Sequence, residues 1–366
     1  MPLPQFMHRS VELHQTRTLS YAEAVSEAMG IALQVFPTAY VIGLGATDPA
    51  GIFGTTKGLA EVYGTHRVFD MPISENAVSG IVLGSAIDGM RPILTHQRLD
   101  FSLVSIEQIV NQAAKWHYMF GGIMSAPIVI RLVVGRGWGQ GPQHSQSLQN
   151  WFAHIPGLKV VMPALPSDAK GLLLSAVADP NPVIIIEHRW LYNSVGPVGE
   201  GDCRIPIGSP RCLREGSDIT IASTGYMTIE ALKAAALLSN YGIEAQVIDV
   251  QTLNPLDDEP ILGSVERTGH LIVADTGWTS CGFAGEVVTR VSEKAFSSLK
   301  APPQRIALPD APTPTSHALT DAYYPRDKDI ARAAGKLLDR PLPPDAFRND
   351  KDLPLDIPDD RFRGSF

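Results

Sequence analysis

The chain has 366 residues, 44% of them hydrophobic and 19% charged, with a formal net charge of -8. That length exceeds what one core usually supports, so two domains are expected, and the acidic balance gives no basic footprint for nucleic acid or an anionic membrane. Only Cys203, Cys212 and Cys281 are present, at spacings of neither a disulfide scaffold nor a zinc site, and Met1 to Arg17 lacks the pattern of a secretory signal. A cytoplasmic protein in a reducing compartment is therefore expected.

Residues 39–43 read as a buried strand, followed by a glycine-rich loop as far as Gly54. Strand 68–70, helix 74–89 and strand 93–97 come next. Over 103–119 the apolar residues Ile106, Ile109, Val110, Ala113 and Ala114 recur at helical spacing, which predicts one buried helix face. Residues 127–134 read as a central strand, and 135–147 as a glycine- and glutamine-rich loop too polar to pack as core. Strand 158–162, helix 167–177 and strand 182–187 complete this series, and 191–208 is irregular, as a linker would be. A second unit follows: strand 219–223, helix 226–240, strands 244–249 and 271–275, and helix 285–295. Alternation of β-rich runs with helical patterns predicts mostly parallel sheets covered on both faces. Beyond Leu338, Pro341, Pro343, Pro344, Pro354 and Pro358 exclude a regular helix, so this tail is expected to stay mobile or strap onto a neighbouring subunit.

Glu75, in Ser74-Glu75-Asn76-Ala77, falls at the first turn of a helix directly after a strand, the edge where doubly wound sheets bind ligands. Desolvation there would raise its pKa and suit it to share a proton with a ring nitrogen. The plainer reading is that Ser74 caps the helix while Glu75 complements its dipole. His144 lies in the polar loop and can exchange a proton near neutral pH, although a loop histidine without a role fits equally well. Gly135, Gly137, Gly139 and Gly141 follow a late strand and flank Trp138, which does not suit a dinucleotide fingerprint; they supply backbone freedom next to a site. Neither a Gly-x-Ser-x-Gly elbow, a Walker loop nor a His-Glu-x-x-His helix occurs.

The combination is more specific than its parts. Phe69-Asp70-Met71-Pro72-Ile73-Ser74-Glu75, Gly89-Met90-Arg91-Pro92, the run from Gln108 to Lys115, His144-Ser145-Gln146 and Pro156-Gly157-Leu158-Lys159-Val160-Val161 resemble, in order, the β subunits of pyruvate and branched-chain 2-oxo acid dehydrogenase E1 components. The resemblance covers about 19–338, including the transketolase-like segment 247–257. It implies an α/β fold of two doubly wound domains: an N-terminal tail 1–16, a pyrimidine-binding domain 17–195, a transketolase C-terminal domain 196–340 and a proline-rich tail 341–366. It further implies an α2β2 heterotetramer with an E1 α-type subunit, thiamine diphosphate shared between the chains, and a lipoyl acyltransferase (E2) as acceptor. Glu75 matches the glutamate that bonds the cofactor's N1′, Phe101 the aromatic on the pyrimidine, and His144 the active-site histidine. Gln97 joins Glu75 and Phe101 as a cofactor-binding position. A potassium site of backbone carbonyls matches Ile128, Ala176, Val177, Asp179 and Asn181. The Gly-Asp-Gly…Asn pattern that holds the diphosphate through magnesium is absent, and Gly201-Asp202-Cys203 does not reproduce it, so magnesium is expected on the α subunit and the β chain alone is expected to be inactive.

Two departures bear on substrate. Leu44 stands where relatives usually carry an acid, and His96-Gln97-Arg98 replaces a more apolar strand end. Strand alternation would place His96 and Arg98 on one face, where Arg98 either grips a substrate carboxylate or phosphate or braces a subunit interface. The expected reaction is oxidative decarboxylation of a 2-oxo acid with acyl transfer to a lipoyl carrier. The alternatives are a split transketolase or non-oxidative carboligase subunit, and a non-catalytic scaffold subunit.

Overall fold

The computed structural model describes residues 16–137, 139–320, 322–347 and 355–358. Runs such as Val129–Val134 and Val183–His188 are buried at every position, the pattern of strands covered on both faces. They form a seven-stranded sheet in the order Thr252–Asn254, Lys159–Val161, Val183–His188, Val129–Val134, Arg91–His96, Ala39–Gly43, Val68–Phe69. All neighbours are parallel except Thr252–Asn254, which pairs antiparallel with Lys159–Val161. Helices Tyr21–Val35 and Pro166–Ala178 pack together over one face. The first opens on a reciprocal cap, in which Glu23 N donates to Ser20 Oγ at 3.2 Å and Ser20 N donates to Glu23 Oε2 at 2.8 Å. Inside the sheet Arg131 donates to Glu187 through Nε at 2.5 Å and Nη2 at 2.9 Å, both side chains being almost wholly buried.

The second sheet runs Gln304–Leu308, Leu271–Trp278, Ile219–Ser223, Ala245–Asp249, Arg211–Arg214, parallel but for the last strand. One strand from the C-terminal half, Thr252–Asn254, therefore closes the edge of the first sheet. A single apolar cluster accordingly continues from Leu94 and Leu132 of the first half to Ile248, Leu271 and Phe283 of the second.

Three expectations are corrected. Residues 191–208 are not wholly irregular, because Val195–Gly199 pairs antiparallel with Thr16–Ser20. The stretch 103–119 is not one α-helix: a 3-10 segment Leu99–Ser105 leads into a π-helix Gln108–Ala113 and a short α-helix Ala114–Met119. Its wider turn brings residues five apart onto one side, so Ile109 and Ala114 are both buried while Ile106 and Val110 are only half-buried. The described parts of the tail are not an unpacked extension, because they pack on their own chain. Leu342 and Phe347 join the cluster around helix Asp327–Leu337, and Arg326 Nη1 donates to Leu355 O and Ile357 O at 3.0 and 3.1 Å. Pro354 lies outside the described residues, as does the expected tail 1–16 except for Thr16.

Candidate active site

Because the strands ending at Gly43, Phe69, His96 and Val134 are parallel, the loops that follow them gather at one sheet edge. These loops are tied to one another. Gln97 Nε2 donates to Leu44 O at 2.7 Å, and Asp70 Oδ1 accepts from Gly45 N at 2.7 Å and Met71 N at 2.9 Å. Leu44 thus contributes a carbonyl to the edge, and its side chain packs on the core. The Asp70 clasp ties the loop after Gly43 to the turn that leads into helix Glu75–Ile87. Ser74 makes no side-chain capping bond there, so the plain capping reading does not hold. Glu75 is half-exposed, and no hydrogen bond engages its carboxylate among the described residues. Its helix packs on Leu99–Ser105, the segment that carries Phe101.

A cavity of about 450 Å³ opens at this edge, lined by Ala50, Gly51, Phe53, Gly54, Gln97, Arg98, Phe101, His144 and Arg189. The Phe101 and His144 rings meet edge to face, with centroids 5.5 Å apart at 85°. The fold therefore brings Gln97, Arg98, Phe101 and His144 together. Glu75 and His96 do not line the cavity. His96 is buried at the strand end with no partner for Nε2 among the described residues, and burial pushes its pKa down to about 4, leaving a neutral imidazole. Arg189 was missed from sequence, although its place just after strand Val183–His188, at the same kind of strand end, was a usable signal. A larger cleft of about 690 Å³ runs between Asn150–His154 and Cys281–Arg290, but it holds none of the predicted site residues.

The loop expected to be too polar to pack is instead largely buried, with Gly135, Arg136, Gln140, Ser145 and Ser147 inside. It packs with several of its polar groups paired. Arg98 Nε donates to Gln140 Oε1 at 2.8 Å, Gln146 Nε2 to Asp100 Oδ1 at 2.9 Å, and the Ser147 and Thr276 hydroxyls lie 2.8 Å apart. Behind them Gln149 Nε2 donates at 2.5 Å to Asp275 Oδ1, a carboxyl whose pKa burial pushes up. Among the described residues the Arg136 guanidinium has no hydrogen-bond partner, but it lies 4.7 Å from the Trp190 ring centre and 4.2 Å from that of Tyr324. Gly135 is required by close approach, since a Cβ there would stand 2.1 Å from His144 O. Trp138 lies outside the described residues.

The five positions matched to a potassium site gather where helix Pro166–Ala178 ends beside strand Val129–Val134. Arg91 Nη1 donates to Val177 O at 2.6 Å and to Asp179 O at 3.3 Å, Lys159 Nζ contacts the Asp179 carboxylate, Ile128 O accepts from Val183 N at 3.0 Å, and Asn181 N donates to Asp179 Oδ1 at 2.9 Å. Carbonyls at a helix C-terminus are suitable oxygen donors for a monovalent cation, which would share them with Arg91. Among the described residues no group of three or more His, Cys, Asp or Glu side chains is placed to hold a metal ion.

Comparison with known proteins agrees with this architecture. The transketolase pyrimidine-binding domain family matches residues 17–194, and the transketolase C-terminal domain family matches 208–330. The two domains define a transketolase-type chain of the thiamine diphosphate-dependent class. The β subunit of acetoin:2,6-dichlorophenolindophenol oxidoreductase from Cupriavidus necator is 42% identical over 88% of this chain and 98% of its own, and that from Bacillus subtilis is 40% identical over 89% and 98%. The mitochondrial β subunit of the pyruvate dehydrogenase E1 component from Bos taurus is 38% identical over 86% and 89%. A solved "Split gene transketolase, inactive beta4 tetramer" superposes with a TM-score of 0.72 at 24% identity, over 88% of this chain and 99% of that one, and shares the fold. The chain belongs to the family of E1-component β subunits of pyruvate and acetoin dehydrogenases.

Proposed function

We propose that this chain pairs with an E1 α-type subunit in an α2β2 heterotetramer that decarboxylates a 2-oxo acid and passes the acyl group to a lipoyl carrier on an E2 acyltransferase. The observation that carries the reading is the Phe101–His144 pair, lining a cavity at the parallel-strand edge next to the segment on which the Glu75 helix packs. Thiamine diphosphate, when bound, supplies the nucleophilic ring carbon and the electron sink. The chain's own residues position it and move protons. Glu75 holds a proton against the pyrimidine nitrogen, Phe101 covers the ring, Gln97 fixes the loop at Leu44, and His144 carries a proton to or from the substrate. Of the two residues expected at the substrate, the buried, neutral His96 shapes the strand end and Arg98 faces the cavity.

Support for a partner comes from the surface around Glu75. Ile73 and Ile81, beside and on the Glu75 helix, and Val104, on the segment that helix packs against, are 77%, 70% and 63% exposed, apolar positions that a second chain would cover. Magnesium is assigned to the α chain, on the missing Gly-Asp-Gly…Asn pattern. Potassium is assigned to the carbonyls of Ile128, Ala176, Val177, Asp179 and Asn181. Replacing potassium by choline should lower the melting temperature of the complex by a few degrees, and an unchanged melting curve would remove the ion. Among the described residues no helix is long and apolar enough to cross a membrane. The three free cysteines support a cytoplasmic location, which recovery from a secreted or membrane fraction would contradict.

The deciding assay reconstitutes the α/β pair with thiamine diphosphate and compares lipoamide with a sugar acceptor. Acyl transfer to lipoamide is expected, and Glu75→Gln should lower its rate by roughly 10²–10⁴-fold. Transfer only to the sugar would establish the split-transketolase alternative, and an unimpaired Glu75→Gln complex would establish the scaffold.

A further inference from the structure

Two guanidiniums reach the cavity from different strand ends, Arg98 after Arg91–His96 and Arg189 after Val183–His188. Both rest on one ring: the Cζ atoms of Arg98 and Arg189 lie 4.9 and 4.8 Å from the Phe53 centroid. Phe53 is held at φ 50, a left-handed conformation that a non-glycine residue keeps only where its surroundings impose it. The turn around it is fastened by Ile52 N donating to Thr56 Oγ1 at 2.8 Å and Gly54 N to Ala50 O at 3.1 Å. Two like charges brought to one partly desolvated wall repel each other. Burial, and next the charge of Arg189, push the pKa of Arg98 down to about 10. Arg98 is held in place by donating through Nε to Gln140 Oε1 at 2.8 Å and through Nη1 to Gln97 O at 2.7 Å. An anion in the cavity that both side chains line relieves that repulsion, and guanidinium N–H groups suit carboxylate and phosphate oxygens alike.

This anion is not the carboxylate lost as carbon dioxide. A guanidinium pair on the leaving carboxylate would stabilise the ground state more than the transition state, in which that charge flows into the cofactor ring, and would slow the reaction. The pair therefore suits a group at the other end of the substrate. Resting on the decarboxylase reading above, we propose that Arg189, together with Arg98 in the same cavity wall beside Phe53, binds a distal anionic group, so that the preferred 2-oxo acid is a dianion.

The test uses the reconstituted α/β complex. With dye reduction as readout, kcat/KM for 2-oxoglutarate or oxaloacetate should exceed that for 2-oxobutanoate by about tenfold or more, and Arg189→Gln should collapse that ratio while Arg189→Lys keeps part of it. Oxaloacetate against 3-phosphonopyruvate tells a distal carboxylate from a distal phosphonate. Calorimetry supplies a readout that needs no turnover: succinylphosphonate should bind roughly tenfold tighter than acetylphosphonate, with the preference lost in Arg189→Gln. Equal binding of the two analogues, or a preference untouched in Arg189→Gln, overturns the proposal. A complex that binds succinylphosphonate selectively yet turns over no 2-oxo acid keeps the anion site and sinks the decarboxylase reading. One that favours the monoanions sinks the anion site alone.

Discussion

His96 shows how burial by itself decides a protonation state at the edge of this site. Its pKa falls from 6.5 to about 4 because the folded interior offers the imidazolium no compensation. Below pH 6.5 the unfolded chain takes up a proton that the folded chain refuses. Stability is therefore complete above that value and is lost as pH falls toward 4, by about 3 kcal/mol in all. His96→Phe should flatten this acid limb in urea unfolding at pH 7 and pH 4.5, and a variant as acid-sensitive as the parent would assign the loss to another group. Glu75 is the contrasting case. Its carboxylate is half-exposed at the first residue of its helix, so the proton-holding role proposed for it depends on what a partner chain and cofactor bring against it.

At the scale of elements, the loop from Gly135 to Ser147 matters most, because it carries His144 to Phe101 and is clamped from both halves of the chain. Arg98, Asp100 and Thr276 each hold one of its polar groups. Gly135→Ala would drive a methyl to 2.1 Å from His144 O, forcing the loop to shift. Misplacement of reacting groups by about 1 Å costs on the order of 10²-fold in rate, so kcat of the assembled complex should fall by about that factor, more than any change in melting temperature would explain. An unimpaired kcat would show that His144 needs no fixed position. The strands were legible locally: 39–43 and 219–223 coincide with the observed Ala39–Gly43 and Ile219–Ser223, because a strand buried on both faces is an unbroken apolar run. The π-turn at Gln108–Ala113 was not, since apolar residues spaced for an α-helix also satisfy a wider turn over one or two repeats.

At the scale of the whole molecule, Ile73, Ile81 and Val104 are large apolar side chains left exposed, positions suited to burial under a second chain. Ile81 is 70% exposed on helix Glu75–Ile87, so Ile81→Lys should leave the β chain folded, with an unaltered circular dichroism spectrum. It should nevertheless shift sedimentation away from the α2β2 species. Assembly at the parent's affinity would place the partner elsewhere.

The amino-acid sequence by itself determined the strand–helix alternation, the seat of Glu75 at a strand-to-helix junction, and an ordered set of motifs sufficient to recognise the family. Those are properties of short segments, where the periodicity and identity of neighbouring residues carry the information. Only the tertiary structure decided that Thr16–Ser20 pairs with Val195–Gly199, that Thr252–Asn254 crosses to the first sheet, and that Arg98 and Arg189 meet over Phe53. Such meetings join residues far apart in the chain. They follow from how the sheets close and pack, and local periodicity is silent about that closure.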